Sequence, residues 1–139
     1  MTKIPKSLDL EPGEEVRDAW VAGIPYRGGR AAKWGGTLVL TDRRVLFEPL
    51  NVPVVVEGTS FGTMGREHRA SAALGDLESV EAVPEHRALM CLHLRDGVEV
   101  RFLISAGRTT VMWSAKNRVA RDAAVAALSA AIAGGAQGG

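Results

Sequence analysis

A single cysteine, Cys91, stands among 139 residues. No intrachain disulfide and no cysteine-built metal cage is therefore available, and a lone thiol suits a reducing compartment. Long apolar runs are missing as well: no segment approaches the ~20 apolar residues that a membrane-spanning helix needs. The opening stretch, MTKIPKSLDLEPGEE, holds no apolar run that would serve as a signal peptide. These absences lead to the expectation of a soluble, cytoplasmic chain that touches a membrane, if at all, only at an anionic surface. An excess of one charge is lacking too. The 17 basic and 16 acidic side chains leave a formal net charge of +1, whereas a dedicated nucleic-acid binder gains affinity by neutralising many phosphates. No nucleic acid is expected as a partner, and any electrostatic partner must be met by a local patch.

Catalytic patterns are equally sparse. There is no phosphate-binding glycine loop, and Glu67-His68 and Glu85-His86 are adjacent pairs without metal-ligand spacing such as H-x-x-x-H. Cys91 and His93 fall on one face of a strand, roughly 6.6 Å apart by strand rise, too far for a direct thiol–imidazole pair. Cys91 reads as a small buried hydrophobe. The sequence points away from an enzyme and implies no cofactor and no metal.

What the chain does have is strand pattern. Its length is that of one domain, and 46% hydrophobic with 24% charged residues is the balance of a soluble globular protein. An extended lead-in is expected over 1–13, a single domain over 14–133 and a disordered tail over 134–139. A first strand is expected within Glu14 to Val21, followed by an exposed loop, IPYRGGRAAKWGG, over 24–36. GGTLVLTDRRVLFEP (35–49) reads as a hairpin. For Leu38, Leu40, Val45 and Phe47 to share a face, Leu40 must lie opposite Val45. Asp-Arg suits a two-residue primed turn poorly, so Thr41 to Arg44 is expected to form a four-residue connection built on a type I turn. Pro49 ends the second strand, and Pro53 confines VPVVVEG (52–58) to an edge. Ala70 to Leu74 and Leu77 to Val83 are short strand candidates on either side of Gly75-Asp76. In LMCLHLRDGVEVRFLIS a two-residue loop would set Leu94 against Glu99. A three-residue loop, Arg95-Asp96-Gly97, pairs Leu92 with Val100 and Met90 with Phe102 and is therefore chosen, with Gly97 left-handed. An alanine-rich helix follows from about Ser114 to Ala133, expected to stop at Gly134-Gly135. Val125, Leu128 and Ile132 form its apolar stripe with Ala124 and Ala131 alongside, and Val119 lies off it.

Gly36-Thr37, Leu38-Val39-Leu40-Thr41, the charged turn, Arg44-Val45-Leu46-Phe47 and Pro49 resemble the signature hairpin of GRAM domains. LEPGEEV (10–16) and GDLESVEAV (75–83) resemble flanking segments of that family. The resemblance implies a mainly β, pleckstrin-homology-like fold: a bent antiparallel β-sandwich or partly open barrel capped by the C-terminal helix. Val125, Leu128 and Ile132 would be the inner face of that plug and Trp113 would pack at its root. The resemblance also implies a module that binds lipids or proteins and does not catalyse.

Two loops hold the candidate binding residues. Arg27, Arg30 and Lys33 with Tyr26 and Trp34 interleave cations and aromatics, as suits an anionic headgroup or an acidic peptide. Three cations contribute about 3 kcal/mol at an anionic leaflet, weaker than millimolar affinity. The competing reading is a solvated loop with Trp34 folded onto the core. The Lys/Arg-x-Arg of phosphoinositide-binding members is absent, since the following strand reads GTLVLT. The second loop, GTSFGTMGREHR (58–69), carries Phe61 and Met64, with Arg66, His68 and Arg69 to steer an approach; the competing readings are a disordered excursion, which its glycines favour, and a loop whose Phe61 closes over the sandwich. Arg43 and Arg44, adjacent in a turn, point in different directions, and Arg44 is expected to pair with a carboxylate rather than a ligand. The expected function is a binding module acting through protein–protein interaction or self-association, by a sheet edge or the 58–69 loop. The alternative is peripheral binding of an anionic, phosphoinositide-like headgroup.

Overall fold

The computed structural model describes residues 2–25, 32–49, 54–56, 59–61, 70–107, 110 and 114–138, with the backbone alone at 32–34, 54–56, 59–61 and 135–138. In chain order the strands are β1 (Val16–Pro25), β2 (Ala32–Thr41), β3 (Arg44–Pro49), β4 (Val54–Val56), β5 (Thr59–Phe61) and β6 (Ala70–Ala73), then β7 (Leu77–Ala82), β8 (Leu89–Leu94) and β9 (Glu99–Ser105). A 3-10 turn, Leu74–Asp76, separates β6 from β7, and helix α1 (Ala115–Gly138) closes the order. Seven strands form one antiparallel sheet in the order β6-β3-β2-β1-β9-β8-β7; β4 and β5 pair separately. The sheet is not closed. It is the expected architecture: mainly β, a partly open sandwich with one C-terminal helix.

The halves of the sheet join where β1 meets β9, through three residue pairs, Val21–Ser105, Ala22–Ile104 and Gly23–Leu103. Folded over, its halves trap one core in which Leu38, Phe47, Met90, Leu92, Phe102 and Ile104 meet. The rings of Phe47 and Phe102 lie 5.5 Å apart and tilted, a favoured aromatic arrangement. The β2–β3 hairpin has the expected register, Leu40 opposite Val45 and Leu38 opposite Phe47. Its other face is buried too: Val39 and Leu46 join Ala19 in a second cluster, covered by Ile4, Leu8 and Leu10 of the lead-in. Burial on both faces explains why LVL and VLF are unbroken apolar runs rather than alternating ones. At Gly36 the strands approach so closely that a Cβ would lie 2.4 Å from the Glu48 carbonyl oxygen; only glycine fits there.

The β8–β9 hairpin also takes the expected register, with Leu92 opposite Val100 and Met90 opposite Phe102. Leu94 and Val98 flank the three-residue loop, joined by a Leu94 N–H to Val98 carbonyl bond of 2.9 Å. Gly97 is left-handed, with φ +91.

Some boundaries differ from expectation. β1 runs on to Pro25 and β2 begins at Ala32, so Ile24, Pro25 and 32–36 belong to strands rather than to a loop, held by pairs such as Ile24–Trp34 and Ala22–Gly36. Thr59–Phe61, expected in a loop, is a strand against Val54–Val56. The helix passes Gly134 and Gly135 and continues to Gly138. The only positive-φ glycines among the described residues are Gly13 and Gly97, so no left-handed residue ends it there. The root residue Trp113 lies outside the described residues.

Helix α1 packs on β7, β9 and the 3-10 turn. Ala124, Leu128 and Ile132 are buried in the main core with Val125 and Ala131 beside them, and Val119 is exposed, as the stripe predicted. One turn earlier the inner face is polar, which the apolar stripe did not reveal. The Asn117 Oδ1 accepts the Ala106 N–H at 2.9 Å. The Arg121 Nη1 donates to the carbonyls of His86 (2.7 Å), Val83 (3.2 Å) and Leu89 (3.4 Å). Long polar side chains thus tie the helix to the 83–89 segment, adding to the backbone bonds that the same carbonyls accept from Leu89, His86 and Val83.

Two stability predictions follow from these anchors. A Cβ at Gly97 would meet nothing within 4 Å, so Gly97→Val should lose only backbone energy, about 1–2 kcal/mol, and Gly97→Asn clearly less; urea unfolding midpoints of the two variants check the order. Arg121→Met keeps the apolar stem and removes the donors, and should lower unfolding free energy by about 2 kcal/mol, read by the same titration.

Candidate functional site

Arg43 and Arg44 do diverge, and both reach back to the lead-in. The Arg44 Nε donates to Glu14 Oε2 at 2.9 Å and its Nη2 to Glu14 Oε1 at 2.8 Å. Nη2 also donates to the Asp9 carbonyl at 3.0 Å. The Thr41 hydroxyl donates to Glu14 Oε2 at 2.6 Å, and the Glu11 N–H donates to Oε1 at 3.0 Å. Arg43 meets Glu11 Oε2 and the Pro12 carbonyl, each at 3.1 Å. The expected carboxylate partner of Arg44 is therefore Glu14, whose side chain is fully buried. The turn is polar for more than solvation: it is the socket that clasps the chain entering the fold. Thr41 also accepts the N–H groups of Arg43 and Arg44, which folds the four-residue connection back on itself.

The side chains of the clasp satisfy one another, and the ends of the open seven-stranded sheet offer backbone groups that can take a new partner. Among the described residues, β6 and β7 each pair on one side only. They differ in how they meet solvent. β7 carries the exposed carboxylates Glu78 and Glu81, and its register shifts between Leu77 and Ser79; charge and bulges are the devices that discourage strand addition. β6 is Ala-Ser-Ala-Ala, without charge, proline or register shift, and is exposed apart from Ala72. Beside it opens an apolar slot of about 80 Å³, lined by Leu38, Phe47, Ala72, Leu77, Leu92 and Phe102, room for one aliphatic side chain. An unguarded backbone edge next to an apolar slot is the arrangement that captures an extended segment: main-chain bonds hold it and one side chain is read.

Most of the residues singled out in the sequence lie outside the described residues. Lys33 and Trp34 stand on β2 and Phe61 on β5, where the backbone alone is described. Tyr26, Arg27, Arg30, Met64, Arg66, His68 and Arg69 lie outside the described residues. Sequence reading marked Ala70 to Leu74 as a short strand but not as a binding edge, because four small residues carry little hydrophobic signal; the runs that flank its slot, LVL and LMCLHL, were visible only as core. Cys91 is buried, and burial pushes its thiol up, away from the reactive thiolate. Among the described residues no helix is long and apolar enough to cross a membrane. No protein-family model matches this chain, and no curated protein matches it either.

The clasp predicts an acid-sensitive fold. Hydrogen bonding to Arg44, against the opposing cost of burial and aided by Thr41 and the Glu11 N–H, holds the Glu14 carboxyl at about 2 instead of 4.5. A depressed folded-state value stabilises above the unfolded value and is lost on acidification. The pair's contribution, on the order of 3 kcal/mol, should be complete above about pH 4.5 and fade towards pH 2. Glu14→Gln should cost about 2–3 kcal/mol near neutrality and little at pH 2, measured by urea unfolding across that range.

Proposed function

We propose that this chain is a non-catalytic binding module on a pleckstrin-homology-like, GRAM-type scaffold, and that it self-associates by pairing β6 with β6 of a second copy. The observation that carries this reading is the uncharged β6 edge lying against the apolar slot. Two antiparallel copies about a two-fold axis would satisfy both edges with the same residues. Ala and Ser leave no like charges face to face, and a net charge of +1 sets up little repulsion between copies. The slot then receives an aliphatic side chain from the partner, which supplies the apolar contact that four residues of backbone pairing lack.

Sedimentation velocity over a wide concentration range tests the reading, with Ser71→Lys as the probe. Ser71 is exposed on β6, and an edge lysine opposes strand addition without disturbing the core. The wild-type chain should dimerise with increasing concentration, and Ser71→Lys should weaken that at least tenfold. A monomer at every concentration would reject self-association; dimerisation unchanged in the variant would reject β6 as the contact. Flotation of a monomeric chain with anionic but not neutral vesicles would replace this reading with a surface-binding one.

A further inference from the structure

The outer face of β7, β8 and β9 carries a second group of chemistry-bearing side chains, unconnected with the β6 edge. Cys91 and His93 alternate on β8. Register places Glu99 of β9 opposite His93, and Glu81 of β7 and Arg101 of β9 on either side of Cys91. The Cys91 thiol, one ring nitrogen of His93 and a Glu99 carboxylate oxygen all lie within 4.8 Å of one another. The His93 Nδ1 stands 3.5 Å from Glu99 Oε1, and Nε2 stands 3.0 Å from Glu81 Oε1. Cys91 forms the buried floor, His93 is a quarter exposed, and the Glu99 and Glu81 side chains are more than half exposed. The group thus has a closed base and an open mouth.

From this juxtaposition we infer a binding site for a zinc-like divalent cation, formed by Cys91 Sγ, His93 Nδ1 and a Glu99 carboxylate oxygen. Ligands about 2.0–2.3 Å from a tetrahedral zinc lie about 3.3–3.8 Å apart. The Nδ1 to Oε1 separation already has that value, and closing the rest takes small torsional adjustments of Cys91 and His93 as well as rotation of the exposed Glu99. Glu81 then keeps its place on Nε2, the carboxylate that orients a metal-binding histidine from behind. A fourth position is left for water at the mouth. A sulfur, a nitrogen and an oxygen together select zinc or a similar borderline metal over calcium or magnesium, which take oxygen alone. Charge agrees: two carboxylates face one guanidinium, Arg101, so the group attracts a cation before the thiol ionises. On binding, the Sγ–H bond breaks, its proton passes to solvent and a sulfur–metal bond forms, with no change of oxidation state. Sequence spacing concealed the site because two ligands alternate on one strand and the third comes from the neighbouring strand, unlike two histidines on a helix.

Cobalt(II) is the probe, since a thiolate–cobalt bond gives a charge-transfer band in the near ultraviolet. One equivalent added to the purified full chain should produce that band together with tetrahedral d–d bands, and zinc should displace it. Cys91→Ser should abolish the charge-transfer band. His93→Gln, at a partly exposed position that keeps the core intact, should weaken zinc binding about 100-fold, and Glu81→Gln about 10-fold, read by competition with a chromophoric chelator. Absence of the band in the wild-type chain, or zinc affinity unchanged in His93→Gln, would overturn the assignment.

Discussion

Three residue pairs between β1 and β9 join the two halves of the seven-stranded sheet, and the rest of the molecule follows from the way these halves enclose one core. A sheet twisted in the usual sense does not lie flat. Folding brings Leu38 and Phe47 of one half against Phe102 and Met90 of the other. The bend brings the terminal strands β6 and β7 to the same side without pairing them. One end of the sandwich is stopped by Leu128 and Ile132 of the helix, and the back of β2–β3 is covered by the lead-in. Among the described residues, an apolar slot stays open beside β6.

Polar groups serve two different ends here. Around Glu14 the arithmetic closes: each carboxylate oxygen accepts two donors, and the arginine that faces it is held in a bidentate grip. A buried ion pair offsets its desolvation only when its remaining lone pairs are met, and this one meets that condition. It joins residues far apart in the chain and so fixes where the lead-in enters. On the outer face of β8 the arithmetic differs. One imidazole lies between two carboxylates with a buried thiol beneath it, an arrangement rich in electron-pair donors. The first cluster is a structural lock and the second is suited to holding a cation.

The helix shows the same division along its length. Its second half contributes apolar side chains to a core that exists without specific direction. Its first half contributes Asn117 and Arg121, which meet backbone groups at the end of β9 and in the 83–89 connection. Hydrophobic burial keeps the helix on the sheet, and directional bonds set its rotation and register. The apolar face is generic; the polar anchors make the placement unique.

Alternation, turn chemistry and the glycine at position 97 determined both hairpin registers from the sequence alone, because a one-residue slip would turn Leu38 or Leu92 towards the wrong face. The same local logic located the helix stripe and the divergence of Arg43 from Arg44, since adjacent side chains in a turn separate whatever surrounds them. Only the tertiary structure decided that Glu14 is the partner of Arg44, that Val39 and Leu46 are covered from behind, and that Arg121 reaches the 83–89 carbonyls. Each joins segments about thirty residues apart or more, and no local pattern records a contact closed by folding. The β6 edge and the Cys91–His93–Glu99 group belong with them. An edge is defined by the strand that fails to pair with it, and a cross-strand ligand set by the register that brings β9 beside β8; both are properties of the assembled sheet.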